Sequence, residues 1–216
     1  LAAPEGSLVE PSGIHVESAR SALQGASGWL DPGATARLLR AYGIRTPRSL
    51  FAATAEEAAR AAVQIGGKVA IKMVSSSISH KTEIGGVILR VEGNGAAAAF
   101  CTIADRLEAI GQRDQLEGVL VQEMVSAGVE LLVGATVDPV YGPMIGFGIG
   151  GIHVELWKDI VFRLAPLRDV DAEGLLNGIR ARALLEGFRG SPPVDRRAVV
   201  DVLLRVSRMV ENHPEI

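Results

Sequence analysis

Lys72 and His80 are the side chains in this sequence best suited to phosphate chemistry. A lysine ammonium is a fixed cation for phosphate oxygens, and a hydrogen bond to a charged group contributes ~1.5 to 3 kcal/mol. A neutral imidazole, with an unperturbed pKa of about 6.5, is a good phosphoryl acceptor. The hydroxyl-rich run Ser75, Ser76, Ser77 and Ser79 lies between them, and Lys81 and Thr82 follow at once. Lys68 and Lys81 are further cations for the same role. Without such neighbours, a strand lysine reads as an exposed side chain and a loop histidine as polar surface.

Two more constellations carry chemistry. Gln122-Glu123-Met124-Val125 closes an apolar run, and Glu130 stands seven residues beyond Glu123. Backbone groups become free at a strand end, so Glu123 and the backbone of Val125 are suited to reading an adenine edge beside an apolar wall. Glu130 is suited to the ribose hydroxyls. Taken alone, both carboxylates also fit solvated strand ends. The third constellation is Gly146-Phe147-Gly148-Ile149-Gly150-Gly151, which satisfies G-x-G-x-x-G. A dinucleotide fingerprint requires a helix immediately afterwards. Here Val154, Leu156, Ile160 and Phe162 alternate like strands, which argues against that fingerprint.

The elements that must position these residues follow from local pattern. Val69, Ile71 and Met73 alternate with Lys68, Ala70 and Lys72, giving a strand with one apolar face and Lys72 on the other. Gly85 and Gly86 turn the chain into a second strand, Val87 to Val91. Asp31-Pro32 starts a helix that Gly43 ends, and Thr54 with Glu57 is a capping box for a helix through Ile65. Asn94 is expected to cap a helix with Phe100, Ile103, Leu107 and Ile110 on its apolar side. Strands are expected over Val119 to Val125 and Val129 to Val137, with a turn at Tyr141-Gly142-Pro143. Two short strands are expected between His153 and Leu164. A helix from Asp171 to Arg180 follows, and Asp195 caps a last one bearing Val199, Val202, Leu203, Val206, Met209 and Val210. The fold class is α+β with two lobes. Residues 1–28, rich in Ala, Gly, Ser and Pro, read as a linker from a preceding domain, and 29–216 as the domain itself.

With these residues in view, Ile78-Ser79-His80-Lys81-Thr82-Glu83-Ile84-Gly85-Gly86-Val87 resembles the His-Lys-Thr-Asp-x-Gly-Gly-Val signature of the ATP-grasp domain in ADP-forming acyl-CoA synthetases. That family is related to the succinyl-CoA synthetase beta subunit. The resemblance runs in order from Trp29 to the end. It implies a two-lobed fold with the nucleotide in the cleft between the lobes, a hinge at Glu123, Val125 and Glu130, and Lys72 on the phosphates. It implies His80 as a phosphohistidine on a mobile loop, although the family's Pro-Asp before the histidine is Ser75-Ser76 here. The family's Gly-x-Gly-Gly-x-x-x-Glu-x-x-x-Asp falls on Gly148, Gly150, Gly151, Glu155 and Asp159, where glycines let backbone amides approach a phosphoryl group. Arg189 falls on a Gly-x-Arg-Gly element. His15, His153 and His213 match no motif position and read as structural or exposed.

The family continues past Ile216 into a strand whose acidic-x-Asn-Pro element holds Mg²⁺, an ion that takes near-octahedral oxygen ligands. The chain alone is therefore expected to bind ATP or ADP weakly, with Glu155 and Asp159 as substitute Mg²⁺ ligands. The implied reaction is acid plus ATP plus CoA to acyl-CoA, ADP and phosphate. CoA is expected on another domain or subunit of the same enzyme, because no Rossmann-type CoA site is present, and a homo-oligomer is left open. A regulatory module of a protein acetyltransferase and a non-catalytic assembly domain are the alternatives.

The 216 residues, 48% hydrophobic, suffice for a substantial core. A net charge of −3 with interspersed signs offers no basic stripe for nucleic acid or an anionic membrane surface. No apolar run is long enough to span a bilayer. The single cysteine, Cys101, excludes an internal disulfide and points to the cytoplasm.

Overall fold

The computed structural model describes residues 6–78, 81–151 and 159–216. The chain forms two compact units. One comprises Leu23–Arg37 and Arg45–Ser126, and the other comprises the residues up to Ala22, Leu38–Ile44 and Ala127–Ile216.

The first unit is built on an antiparallel sheet of four strands: β1 (Ser49–Ala52), β2 (Val69–Val74), β3 (Val87–Val91) and β4 (Gly118–Glu123), in the order β1-β4-β2-β3. With α1 (Val16–Leu23) and α2 (Pro32–Ala41) earlier in the chain, its covering helices are α3 (Ala55–Ile65) and α4 (Ala96–Ala109). Half of the expected capping box forms: Thr54 accepts from the Glu57 amide at 3.2 Å, whereas the Glu57 carboxylate accepts from the amide of Ala53, one residue ahead of the cap, at 2.8 Å. Ala58, Ala61, Phe100, Ile103 and Leu107 from these helices share a core with Val69, Ile71, Met73, Val119 and Val121. Burial of that alternating set holds sheet to helices. Because β2 is an inner strand, Ala70 and Val74 on its other face are buried too, and Lys72 is its one half-buried position.

One expected cap does not form. Asn94 lies inside a short 3₁₀ turn, Gly93–Gly95, and α4 starts behind it with no side-chain cap. Gly95 and Ala96 already donate to the carbonyls of Glu92 and Gly93, so the turn itself satisfies the first donors of the helix. Ile110 is also more exposed than its place in the apolar pattern suggests, because α4 ends one residue earlier.

The second unit carries an antiparallel sheet of β5 (Leu131–Asp138), β6 (Gly142–Ile149) and β7 (Ile160–Leu164), in that order. Asp138 closes the β5–β6 hairpin by accepting from the amides of Val140 and Tyr141 at 2.8 and 2.9 Å. Two helices, α5 (Asp169–Gly178) and α6 (Arg196–Asn212), pack Leu175, Leu176, Leu203 and Met209 against the face bearing Ile145 and Phe147. Asp195 caps α6 through the Ala198 amide. Residues ahead of the sheet join this unit: Leu8 bridges to Arg168, and α1 buries Ala19 and Ala22. The end of α2 is tied here as well, since Arg205 donates to the Tyr42 carbonyl at 2.8 Å. The strand expected ahead of β7 falls on 152–158, outside the described residues.

Candidate functional site

The register of the first sheet sets Lys72 opposite Leu120 of β4 and Val87 of β3. These side chains occupy the face turned away from α3 and α4. A groove of about 620 Å³ runs along it. Val74, Val87, Leu89 and Leu120 form its apolar wall, and Pro32 borders it. Lys72, Lys81, Thr82 and Glu83 supply its polar groups. Two ammonium groups beside an apolar surface suit a ligand that joins an anionic chain to a flat apolar ring.

The Lys72 ammonium donates to Gln122 Oε1 at 2.6 Å. Gln122 belongs to the run that closes β4, and local sequence alone assigns it no role. The signal was the alternation of Val119 and Val121, which puts Leu120 and Gln122 on the opposite face. What local pattern lacks is the register that sets Gln122 opposite Ala70, two residues from Lys72 along β2. Of the two further lysines, Lys81 reaches the groove, whereas Lys68 sits 3.6 Å from Glu92 in an exposed ion pair.

His80 and Ser79 lie outside the described residues. The segments on either side are anchored. Ser76 donates through its amide to Glu117 at 2.6 Å, and Ser77 through its hydroxyl to Gln115 at 2.8 Å. Beyond the histidine, the Gly86 amide donates to the Lys81 carbonyl and the Arg106 guanidinium to the Gly85 carbonyl. Ser76 and Ser77 thus fasten the entry of this loop.

At the end of β4, Glu123 and Val125 differ from each other. Glu123 follows Val119 and Val121 onto the face opposite Lys72, and its carboxylate accepts from the Arg48 amide at 3.1 Å. Its side chain therefore stabilises a chain crossing. Val125 is exposed, and among the described residues its backbone groups make no hydrogen bond, leaving them available to a ligand edge.

The remaining candidates belong to the second unit, where Glu130, Gly150 and Gly151 come together. The Gly150 amide donates to the Glu130 carbonyl at 2.8 Å, and a Cβ on Gly151 would lie 2.9 Å from Glu130 Oε2. Gly148 has a packing reason to be glycine: a Cβ there would meet the Asp159 carbonyl at 2.5 Å. Asp159 is buried, and its two oxygens accept from the amides of Arg180 and Ala181 at 2.8 Å each. This carboxylate anchors the chain leaving α5. Glu155 lies outside the described residues. Among the described residues no cluster of three His, Cys, Asp or Glu side chains fits a metal ion.

Arg189 adopts a left-handed φ of 49° with its guanidinium 5.2 Å from the Phe188 ring centroid. His15 is exposed, and His213 is buried edge-on against Tyr42. Among the described residues, no helix is long and apolar enough to cross a membrane.

Comparison with known proteins bears on this geometry. A family model described as an ATP-grasp domain matches residues 21–216. The acetate–CoA ligase [ADP-forming] I of Archaeoglobus fulgidus is 42% identical over 179 residues, covering 83% of this chain and 26% of that protein. The acetate–CoA ligase [ADP-forming] I subunit beta of Pyrococcus furiosus is 37% identical over 180 residues, covering 83% of this chain and 78% of that subunit. This chain thus spans about a quarter of the longer relative and most of the separate subunit. Among solved structures, a Ca. Korarchaeum cryptofilum acetyl-coenzyme A synthetase 1 in complex with coenzyme A and Ca-AMPCP superposes with a TM-score of 0.77 at 39% identity. That match covers 81% of this chain and 77% of the other.

Proposed function

This chain belongs to the ATP-grasp domain family, and on that premise we propose that it supplies the nucleotide-binding and phosphoryl-transfer part of an ADP-forming acyl-CoA ligase. The observation that carries this reading is the groove on β2, where Lys72, Lys81 and Thr82 stand over an apolar wall. In this role the two ammonium groups hold the phosphates of ATP or ADP, and preorganised positive charge offsets the charge carried by the transferring phosphoryl group. The free backbone groups of Val125 take the adenine edge. Glu130 takes the ribose, and Gly150 and Gly151 leave room for close approach of backbone to the nucleotide.

His80 is the phosphoryl acceptor in this proposal. Its neutral ring nitrogen attacks the terminal phosphorus, the bond to the bridging oxygen breaks, and ADP leaves. Magnesium, which bridges nucleotide phosphates and neutralises their charge, is assigned to ligands other than the described carboxylates. CoA binding and acyl transfer are assigned to a partner domain or subunit, in keeping with relatives that occur both as a beta subunit and as longer chains. The setting we assign is the cytoplasm.

The test is incubation with ATP labelled at its terminal phosphate, followed by recovery of protein-bound label. Acid-labile, base-stable label that disappears in His80→Asn is the expected result. Absence of label in a chain that binds ATP would remove the transfer step and leave a nucleotide-binding module. Glu123, Gly148 and Asp159 each do structural work, and this favours the non-catalytic assembly reading as the second choice.

A further inference from the structure

Lysine carries its charge on a flexible four-carbon stem, so a lone strand lysine loses side-chain entropy when it fixes on a phosphate. Lys72 is already held. Its Nζ donates to Gln122 Oε1 at 2.6 Å, from a side chain on the adjacent strand and the same sheet face. The amide orientation follows from chemistry: an ammonium can only donate, so the oxygen of Gln122 must face it. Both side chains are half-buried, and their strands are inner neighbours in the sheet. The anchor is therefore as rigid as the core beneath it.

The charge on the acceptor matters as much as its position. A carboxylate in place of the amide would hold Lys72 too, but as an ion pair that competes with any anionic ligand. A neutral amide fixes the ammonium in place and brings no negative charge of its own to it. We infer that Gln122 is the positioning residue for Lys72, holding its ammonium over the groove without neutralising it, so that the phosphates of a nucleotide meet a preset cation. This rests on the nucleotide reading given above.

The test uses the chain as it stands, with ADP as the calorimetric probe and the wild type, Gln122→Met, Gln122→Glu and Lys72→Ala compared. Gln122→Met keeps the length and removes the acceptor, and should weaken ADP about two- to tenfold, the cost of ordering one long side chain. Gln122→Glu should weaken it more. A second readout is the rate at which a neutral acylating reagent modifies Lys72, measured against Lys68 by peptide mass spectrometry. Loss of the acceptor should speed acylation of Lys72, and Gln122→Glu should slow it. A residue that merely supports the fold would move neither in that opposed pattern, and unchanged melting temperatures would confirm that folding is preserved. If Lys72→Ala loses ADP while both Gln122 variants keep wild-type affinity and acylation rates, the positioning role is wrong and the nucleotide reading stands. If the wild type does not bind ADP, the nucleotide reading falls, and this inference falls with it.

Discussion

The amide of Gly86 donates to the carbonyl of Lys81 at 2.7 Å, while the carbonyl of Gly86 accepts from Met73 of β2 at the same distance. One glycine thus ties the segment leaving His80 to the strand that bears Lys72. Its lack of a side chain is required by close approach: a Cβ at Gly86 would lie 2.8 Å from the Lys81 carbonyl and 3.2 Å from Met73 Cβ.

Gly86→Ala should therefore cost about 1 to 3 kcal/mol, as overpacked substitutions do. The expected readout is a lowered thermal midpoint. A melt identical to wild type would show that the loop closes without this tie.

Asp159→Asn tests the structural assignment of that carboxylate. Asparagine offers one acceptor oxygen to the two amides of Arg180 and Ala181. Leaving a buried N–H unsatisfied should cost about 1 to 3 kcal/mol, visible in urea unfolding. Unchanged stability with reduced magnesium-dependent nucleotide affinity would instead support the metal-ligand reading.

A third prediction concerns acid. The amides of Ser7 and then Val170 hydrogen-bond the Asp169 carboxylate, and these bonds hold its pKa below the ordinary aspartate value. A depressed folded pKa contributes stability that is present above the unfolded value of about 3.9 and is lost as pH falls through the lower folded value. The contact between Ser7 and α5 should therefore loosen only below about pH 4. Chemical shifts of the Ser7 amide should follow that titration in the wild type and not in Asp169→Asn. Titration of the Ser7 amide near neutral pH would contradict it.

The caps at Asp31, Thr54 and Asp195 were legible because each depends on groups three residues away. The β2–β3 hairpin and the lysine on its outer face were legible from alternation. The partner of Lys72 was not, because Gln122 lies 50 positions away and enters only through strand register. The same limit concealed Asp159, whose partners are 21 and 22 positions on, and Gly148, whose small size is required by a neighbouring strand. Asn94 misled because a local turn had already satisfied the donors it would have capped.

The central claim is that Lys72 makes the β2 groove a phosphate site, and calorimetric titration of ADP into the wild type and Lys72→Ala tests it most directly. The account predicts saturable binding by the wild type and a loss of about tenfold or more in Lys72→Ala, the weight of one charge-assisted hydrogen bond. Equal affinity in the two proteins, or no binding by the wild type, would contradict it.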